Sequence, residues 1–498
     1  MTDLHPEASP GAAPGSLPFA DPDGQPYVRR PDPALAAYAQ SFLDAVGDLP
    51  TYRPTVGCVI PAYNEAETIA AVLDSLLHQT RLPDVIHVIV NNSTDATVEI
   101  ASHYAGPHTR MTATGEQSTA VYVHDIGENP DKKVGALNYG YQLVEHMDYL
   151  LGVDGDTTPE PDALEHLVDE IASDHRIGGI SAIYSIDDSA LEGVKSKFLV
   201  AGQRAQFAAF NMQNLLRGRN MAVLGGQFSI FSTDALRQVL ISSHQQTPWV
   251  RDSEVEDSLL SLQIKSAGYL TKISARSRAH VGGMTTLRAL DAQQVKWNYG
   301  AIELMWPGQR GDTQGQPFHP NLRLRWFEHV SMLINVVTRA MFLLLLLGAL
   351  QISAYEFSPL WLIPPMVATL LNLRVARSML VANRRDYLFA LLVFPAEIYM
   401  WVRIGHFLRA WAKFFGRQRT DNWAAQARAE RGKGFSWIYP YLSLVFIVVV
   451  AAAIWYQLPI PTRSDVLAVG WPILGVITVL QTAWMSLKCL RRYQGYKA

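Results

Sequence analysis

The sequence predicts an α/β domain built on a mostly parallel sheet, followed by an all-α transmembrane region. Short apolar runs alternate with helix-patterned stretches between residues 55 and 285, the order of a strand–helix–strand fold. Five apolar stretches follow residue 330, each near the roughly 20 residues that cross a bilayer as a helix. The charge shifts along with the composition. Of 42 Lys and Arg and 45 Asp and Glu, 18 basic but only 6 acidic residues lie beyond residue 330. An acidic front therefore precedes a basic, apolar back, and the net charge of −3 conceals both.

With 49% apolar and 17% charged residues and a mean hydropathy of +0.05, the 498-residue chain is composed neither as a disordered protein nor as a purely soluble enzyme. Its acidic front argues against broad nucleic-acid binding. Cys58 and Cys489 are its only cysteines, which excludes a disulfide framework or a thiolate zinc site and fits a reducing compartment.

Residues 1–33 are rich in Pro, Gly, Ala and Asp, without a basic start or an apolar core. They read as a disordered N-terminal tail, not a signal peptide. Residues 34–48 carry one amphipathic helical pattern, giving a helical lead-in over 34–54. A strand is expected at 56–60, where an apolar run meets Pro61, and a helix at 67–77. The run VIHVIV at 85–90 reads as a second buried strand closed by the polar turn 91–95, with a helix at 96–104. Strand 121–124, helix 135–145 and strand 149–153 follow, within a domain placed at 55–300. In such sheets ligands bind beyond the carboxyl ends of the strands.

Residues 301–330 read as an interfacial connector to the region 331–498. The apolar stretches there are 331–351, 359–376 with Pro364 and Pro365 inside, 387–402 with Pro395 and Glu397 inside, 439–456 and 466–488. Basic residues flank them: Arg323 and Arg325 before the first, Arg374, Arg377, Arg384 and Arg385 after the second, and Arg491, Arg492 and Lys497 at the end. A full crossing at 387–402 would place the dense basic cluster at 403–433 outside, against the inward bias of basic loops. Four crossings are expected, with an interfacial helix near 403–430, where His406, Arg409 and Lys413 interleave with Phe407, Leu408, Trp411, Phe414 and Phe415. Five crossings are the alternative. The pattern implies a multi-pass protein of the plasma membrane with its α/β domain in the cytoplasm.

Polar motifs fall at the expected strand ends. Asp154-Gly155-Asp156 closes strand 149–153. Two carboxylates two residues apart suit a hard cation such as Mg2+ or Mn2+, and equally a solvated turn. Pro61-Ala62-Tyr63-Asn64-Glu65 offers a ring and polar groups to a base, and also the cap of a helix. Glu256-Asp257 precedes the helical stretch 259–266, either as helix-start acidity or with a general base for a sugar hydroxyl. Gly225-Gly226-Gln227-Phe228 suits a close backbone approach to a ligand, or a plain turn. Gln293-Gln294-Val295-Lys296-Trp297 offers a cation to a diphosphate and a ring to a sugar, or is plain surface structure. The sequence contains no G-x-x-x-x-G-K-[ST] phosphate loop and no nucleophile elbow.

Taken in order, IPAYNEAETI (60–69), NNSTDAT (91–97), KKVGALN (132–138), VDGDTTPEPDAL (153–164), LGGQFSIF (224–231), EVEDSLL (254–260) and QQVKW (293–297) resemble the family 2 glycosyltransferases. The resemblance is to their membrane-integrated synthases of cellulose, hyaluronan and poly-N-acetylglucosamine. It covers residues 55–300 by motif and the rest by architecture. It implies a GT-A nucleotide-sugar-binding fold and an inverting, metal-dependent transfer from a UDP-sugar to a growing β-linked polysaccharide, coupled to export. A non-processive transfer to a lipid acceptor is the alternative. On that resemblance Pro61, Tyr63, Glu65, Asn91, Asn92, Lys133 and Asp154 would bind the nucleotide-sugar. Asp154 and Asp156 would hold Mg2+ or Mn2+, and Asp257 with Glu256 would be catalytic, Asp257 as the base. Gly225, Gly226, Gln227, Phe228, Gln293, Lys296 and Trp297 would border the acceptor. Two positions depart from the family: Asn91-Asn92 stands where many members carry an Asp pair, and Lys296 stands where the Q-x-x-R-W motif has Arg, exchanging a planar fork for a point charge. So few spans imply an accessory membrane subunit or a homo-oligomer; no nucleic-acid partner is expected.

Overall fold

The computed structural model of the chain describes residues 52–112, 115–188, 191–251, 255–306, 320–354, 357–416, 429 and 438–490. The chain divides into two units, Met1–Arg53 and Pro54–Ala498, and the second carries all that follows. The tail expected at 1–33, the helix at 34–48, residues 307–319 of the connector and residues 417–428 of the interfacial stretch lie outside the described residues.

The sheet is built from β1 (Val56–Ala62), β2 (Val85–Val90), β3 (Gly106–Thr112), β4 (Gly115–Asp125), β5 (Tyr149–Val153), β6 (Thr158–Pro159), β7 (Ile177–Ile186), β8 (Phe228–Ser232) and β9 (Leu270–Val281). Its order is β3-β4-β2-β1-β5-β8-β7-β9-β6. β1 and β2 are buried along their whole length, because a central strand covered on both faces needs an unbroken apolar run. β1 pairs in parallel with β2 (Gly57↔Val85) and β5 (Val56↔Tyr149), and β2 with β4 (Val85↔Ala120). These are the four strands expected from the sequence, and their carboxyl ends at Ala62, Val90, Asp125 and Val153 open on one rim. β1 continues through Pro61. Its pairing with β5 ends at Val59, so the missing N–H leaves no gap in that ladder.

Beyond this core the sheet is mixed rather than mostly parallel. β8 runs against both β5 (Val153↔Phe228) and β7 (Ser181↔Ser229), β3 against β4 and β6 against β9, while β7 and β9 are parallel. Pairing direction is a long-range property, and a five-residue strand such as FSIFS has the same alternation read either way. The reversal has a consequence for the site. β8 begins where β5 ends, so the turn before it arrives beside Asp154, whose N–H donates to Gln227 O at 3.1 Å.

Helices cover both faces: α1 (Ile69–Leu77), α2 (Thr97–Ser102), α3 (Lys132–Val144), α4 (Ala163–Ala172), α5 (Gly193–Leu216), α6 (Thr233–Ser243), α7 (Glu256–Ser266) and α8 (Leu287–Met305). Ile69, Leu73 and Leu76 of α1 share a core with Cys58, Ile60 and Val88, and Val134, Leu137 and Val144 of α3 pack with Val59, Ile89 and Leu150 on the other face. The alternation of strand side chains between faces produces this division. α3 starts three residues before its expected position and so carries Lys133 in its first turn. Trp249, fully buried, anchors it: Asn138 Nδ2 donates to Trp249 O at 2.8 Å and Trp249 N to Asn138 Oδ1 at 3.1 Å.

The helical region comprises α9 (Arg323–Gln351), α10 (Ile363–Ser378), α11 (Arg384–Leu391), α12 (Val393–Phe415), α13 (Tyr439–Gln457) and α14 (Ile460–Cys489). Among the described residues, two helices are long and apolar enough to cross a membrane, Pro320–Gln351 and Ile460–Leu487; α11 and α12, meeting at an 85° bend, make a third if taken as one broken span. Leu333, Leu344 and Leu347 of the first and Val469, Ile473 and Val476 of the second are exposed, and lipid is the solvent that suits such a surface. The expected stretch at 359–376 forms only 16 residues of α-helix, because a 3₁₀ turn at Pro359–Leu362 takes up its start. The α/β domain is fastened to these helices. Arg204 of α5 donates from Nε (2.9 Å) and Nη2 (2.7 Å) to Asp386 of α11, and Asp291 of α8 pairs with Arg409 of α12.

Candidate functional site

The loops leaving β1 and β2 turn sharply through Asn64 and Asn92, each at φ 54°, a left-handed conformation that Asn tolerates better than most residues. Glu65 N donates to Thr97 Oγ1 at 2.8 Å. Thr68 Oγ1 lies 2.8 Å from both Glu65 Oε2 and Gly155 O, so the first loop is laid against the Asp-Gly-Asp turn. A Cβ on Gly155 would fall 2.8 Å from Glu65 Cγ, which is why the central residue of that turn has no side chain.

Asn91 and Asn92 tie the rim to the first residue of α3 and the loop before it. Their Nδ2 atoms donate to Lys132 O (2.7 Å) and Asn129 O (2.8 Å), and Asn129 N donates back to Asn92 Oδ1 (2.9 Å). A carboxylate could not donate these bonds, so the departure from an Asp pair has a structural use here. Asn92→Asp is expected to lose about 1–3 kcal/mol of stability, read as a lower Tm.

Four segments distant in sequence meet at the rim. Lys133 Nζ lies 2.6 Å from Asp154 Oδ1 and 4.0 Å from Glu256 Oε1. Asp257, in the first turn of α7, accepts from Gly226 N at 2.9 Å. Burial alone would lower the Lys133 ammonium, but Asp154, Asp257 and Glu256 outweigh it and hold it protonated well above the usual range. Burial, and then Glu256, push Asp257 up to about 7, against the pull of Lys133 and the Gly226 N–H. Asp156 opens to the cavity described below yet is surrounded by protein; that desolvation, and then Asp154, raise it to about 6.

One partner had no signal beyond its place in an apolar strand. Tyr184 of β7 is buried, and its hydroxyl lies 2.6 Å from Ser181 Oγ and 3.2 Å from Gly225 O, and accepts from Phe228 N at 3.2 Å. Ser229 Oγ also donates to Gly225 O, at 2.5 Å. The glycine turn is therefore held from below while Asp257 meets it from the side. Phe228 does not border a ligand space: its ring is fully buried in the main core.

A cavity of about 2460 Å³ begins among Tyr63, Glu65, Lys133, Asp154, Asp156 and Asp257, passes Gln293, Lys296 and Trp297, and continues between the helices to Arg339, Arg403 and Trp471. Pro61, Asn91, Asn92, Glu256, Gly225 and Gln227 also line it. The motif on α8 is built into the wall. Lys296 is buried, the Trp297 ring lies 6.3 Å from Phe207, and Gln294 Oε1 accepts from Gln206 Nε2 at 3.2 Å, whose Oε1 accepts from Tyr399 OH at 3.1 Å. Among the described residues no group of three His, Cys, Asp or Glu side chains converges as a metal cage. The Asp154–Asp156 pair is a donor set of the other kind, one that leaves most of an ion's shell to phosphates and water.

Residues 58–240 match the model of Glycosyl transferase family 2. A poly-beta-1,6-N-acetyl-D-glucosamine synthase of Staphylococcus aureus (strain COL) is 25% identical over 251 residues, 50% of this chain and 54% of the relative. One from Staphylococcus epidermidis is 23% identical over 260 residues, 51% of this chain and 57% of the relative. The chain thus spans about half the length of the curated relatives it matches. Among solved structures, the mannosyltransferase PcManGT from Pyrobaculum calidifontis, in complex with GDP-Man and Mn2+, aligns with 90% of this chain and 94% of its own at 15% identity and a TM-score of 0.37.

Proposed function

We propose that this chain, which carries a family 2 glycosyltransferase domain of mixed α/β, GT-A type, moves a sugar from a UDP-sugar to a growing β-linked polysaccharide with inversion, at the cytoplasmic face of the plasma membrane. The observation that carries this reading is the meeting of Lys133, Asp154, Gly226 and Asp257 at one end of a cavity that continues between apolar helices. The names of the relatives favour N-acetylglucosamine as the sugar.

In this reading the uridine lies against Tyr63 and Glu65, and its diphosphate faces Asp154 and Asp156. Those two carboxylates would hold Mg2+ or Mn2+, which supplies neutralisation of the departing diphosphate. Lys133 orients Asp154, and Lys296 adds a positive charge on the leaving-group side. Asp257 accepts the proton of the acceptor hydroxyl as its oxygen attacks the anomeric carbon and the bond to the phosphate oxygen breaks. A single displacement inverts the centre and requires no protein nucleophile. Arg323 and Arg325 at the start of α9 favour a cytoplasmic α/β domain. Four crossings, with α12 along the interface, fit the basic flanks, and an accessory subunit or second copy would complete an export path.

The test is a radiolabel assay on the full chain in lipid nanodiscs with Mg2+ or Mn2+, offering UDP-N-acetylglucosamine and UDP-glucose and sizing the product. A polymer supports the reading; no transfer from any UDP-sugar overturns it. Removing divalent ions with a chelator is expected to abolish transfer and to weaken UDP binding, followed by titration. A base works only when deprotonated, so kcat/KM is expected to rise with pH up to about 7, the value to which Asp257 is pushed, and to level off above it. A second reading, transfer to a lipid acceptor, is favoured by the aromatic far end of the cavity at Phe342, Trp361 and Trp471; a short, solvent-extractable product would identify it.

A further inference from the structure

The helical half of the cavity carries charge that its own side chains do not balance. Arg339 of α9 donates from Nη2 to Glu397 Oε2 at 2.8 Å and from Nη1 to Asn335 Oδ1 at 2.6 Å, and Gln481 of α14 holds that same Asn335 oxygen at 3.1 Å. Arg403 of α12 lines the same space. Glu397, the one acid of α12, is engaged by Arg339, and among the described residues no carboxylate forms an ion pair with Arg403. An unbalanced cation among apolar helices is costly and marks a place where an anion belongs, and a guanidinium is the side chain best matched to phosphate.

The surroundings say more about the ligand. Beyond the arginines the wall is aromatic and apolar: Trp361 and Trp471 stack at 4.7 Å and 26°, with Phe342 edge-on to both, and Pro364, Leu474 and Val479 complete it. Toward the site, Tyr399, one helical turn before Arg403, joins through Gln206 to Gln294 of the α8 motif. A ligand seated here has an anionic group at Arg403, an apolar body among the tryptophans and a route toward Asp257.

We propose that Arg403, with Arg339 beside it, forms a phosphate-binding subsite in the helical half of the cavity, and that its ligand is a phosphate-bearing lipid that serves as acceptor or primer. This rests on the transferase reading of the same cavity and names the acceptor chemistry that reading leaves open.

The test uses the full chain in neutral detergent, with tryptophan fluorescence reporting binding of dodecyl phosphate, dodecanol and inorganic phosphate, and UDP titrated separately. Dodecyl phosphate is expected to bind about tenfold or more tightly than either dodecanol or inorganic phosphate. Arg403→Gln is expected to lose about that factor for dodecyl phosphate, Arg403→Lys to recover part of it, and both to bind UDP as the parent does. Equal binding of dodecanol overturns the anion subsite; equal binding of inorganic phosphate overturns the lipid as its source; an unchanged Arg403→Gln overturns the residue assignment. If Arg403→Gln fails to bind UDP, the three probes on the parent chain still decide. Polymer formation from UDP-sugar without dodecyl phosphate binding overturns this inference and leaves the transferase reading standing; binding without any sugar transfer overturns the transferase reading and with it the ligand's role as acceptor or primer, and leaves only the phosphate subsite standing.

Discussion

Asp257→Asn is expected to lower kcat by about 10²–10⁴-fold, the range for loss of a general base, while UDP affinity stays near that of the parent. The amide keeps the size of the carboxylate, and its oxygen can still accept from Gly226 N, which lies 2.9 Å from Asp257 Oδ2. Lys133 keeps Asp154 at 2.6 Å and Glu256 at 4.0 Å, so the cluster is not left as an unpaired cation. The competing account, acidity at the start of α7, gives a different result. A lost helix-end charge costs about 0.3–1 kcal/mol of stability and leaves turnover nearly intact. Steady-state transfer assays, UDP titration and a Tm on the same preparation separate the two.

Gly226→Ala is expected to lower kcat by about 10²-fold, the cost of misplacing a reacting group by about an ångström, with little change in Tm. A Cβ there would stand 2.8 Å from Lys133 Nζ, 3.0 Å from Asp257 Oδ2 and 3.3 Å from Asp154 Oδ1. All three are ends of flexible side chains, so the fold can absorb the methyl group by moving them. In the proposed reaction those same three atoms are the ones that must stay in place. A large drop in Tm with unchanged turnover of the folded fraction would instead make Gly226 a packing residue only.

Much of the fold was legible in the residues. The bounds expected for two strands, 85–90 and 149–153, are those observed, because a strand covered on both faces must be apolar throughout and ends where polar turn residues begin. The site motifs at 61–65, 91–92 and 154–156 were legible for the same reason: they are the first polar residues after such strands, on the rim where parallel strands end. Less was readable where an element's meaning depends on its partner. Asn91 and Asn92 line the cavity as expected, but that their amides also hold the start of α3 and the loop before it could not be read from the sequence. Phe228 belongs to a glycine motif and is a core residue. Tyr184, which holds that motif, is one aromatic in a ten-residue apolar strand.

The sequence by itself determined the alternation of strands and helices in the front half, the carboxylates at the strand ends, and the apolar, basic character of the back half. These are local properties, written in periodicity and composition over windows of five to twenty residues. Only the tertiary structure decided that β8 runs against β5, that Lys133, Asp154, Gly226 and Asp257 meet, and that their cavity continues to Arg403. Lys133 Nζ and Asp257 Oδ2 both lie within 3.0 Å of where a Cβ on Gly226 would stand, although more than a hundred residues separate them in the chain. Contacts of that kind depend on which strands pair and in which direction, and no short window of sequence records it.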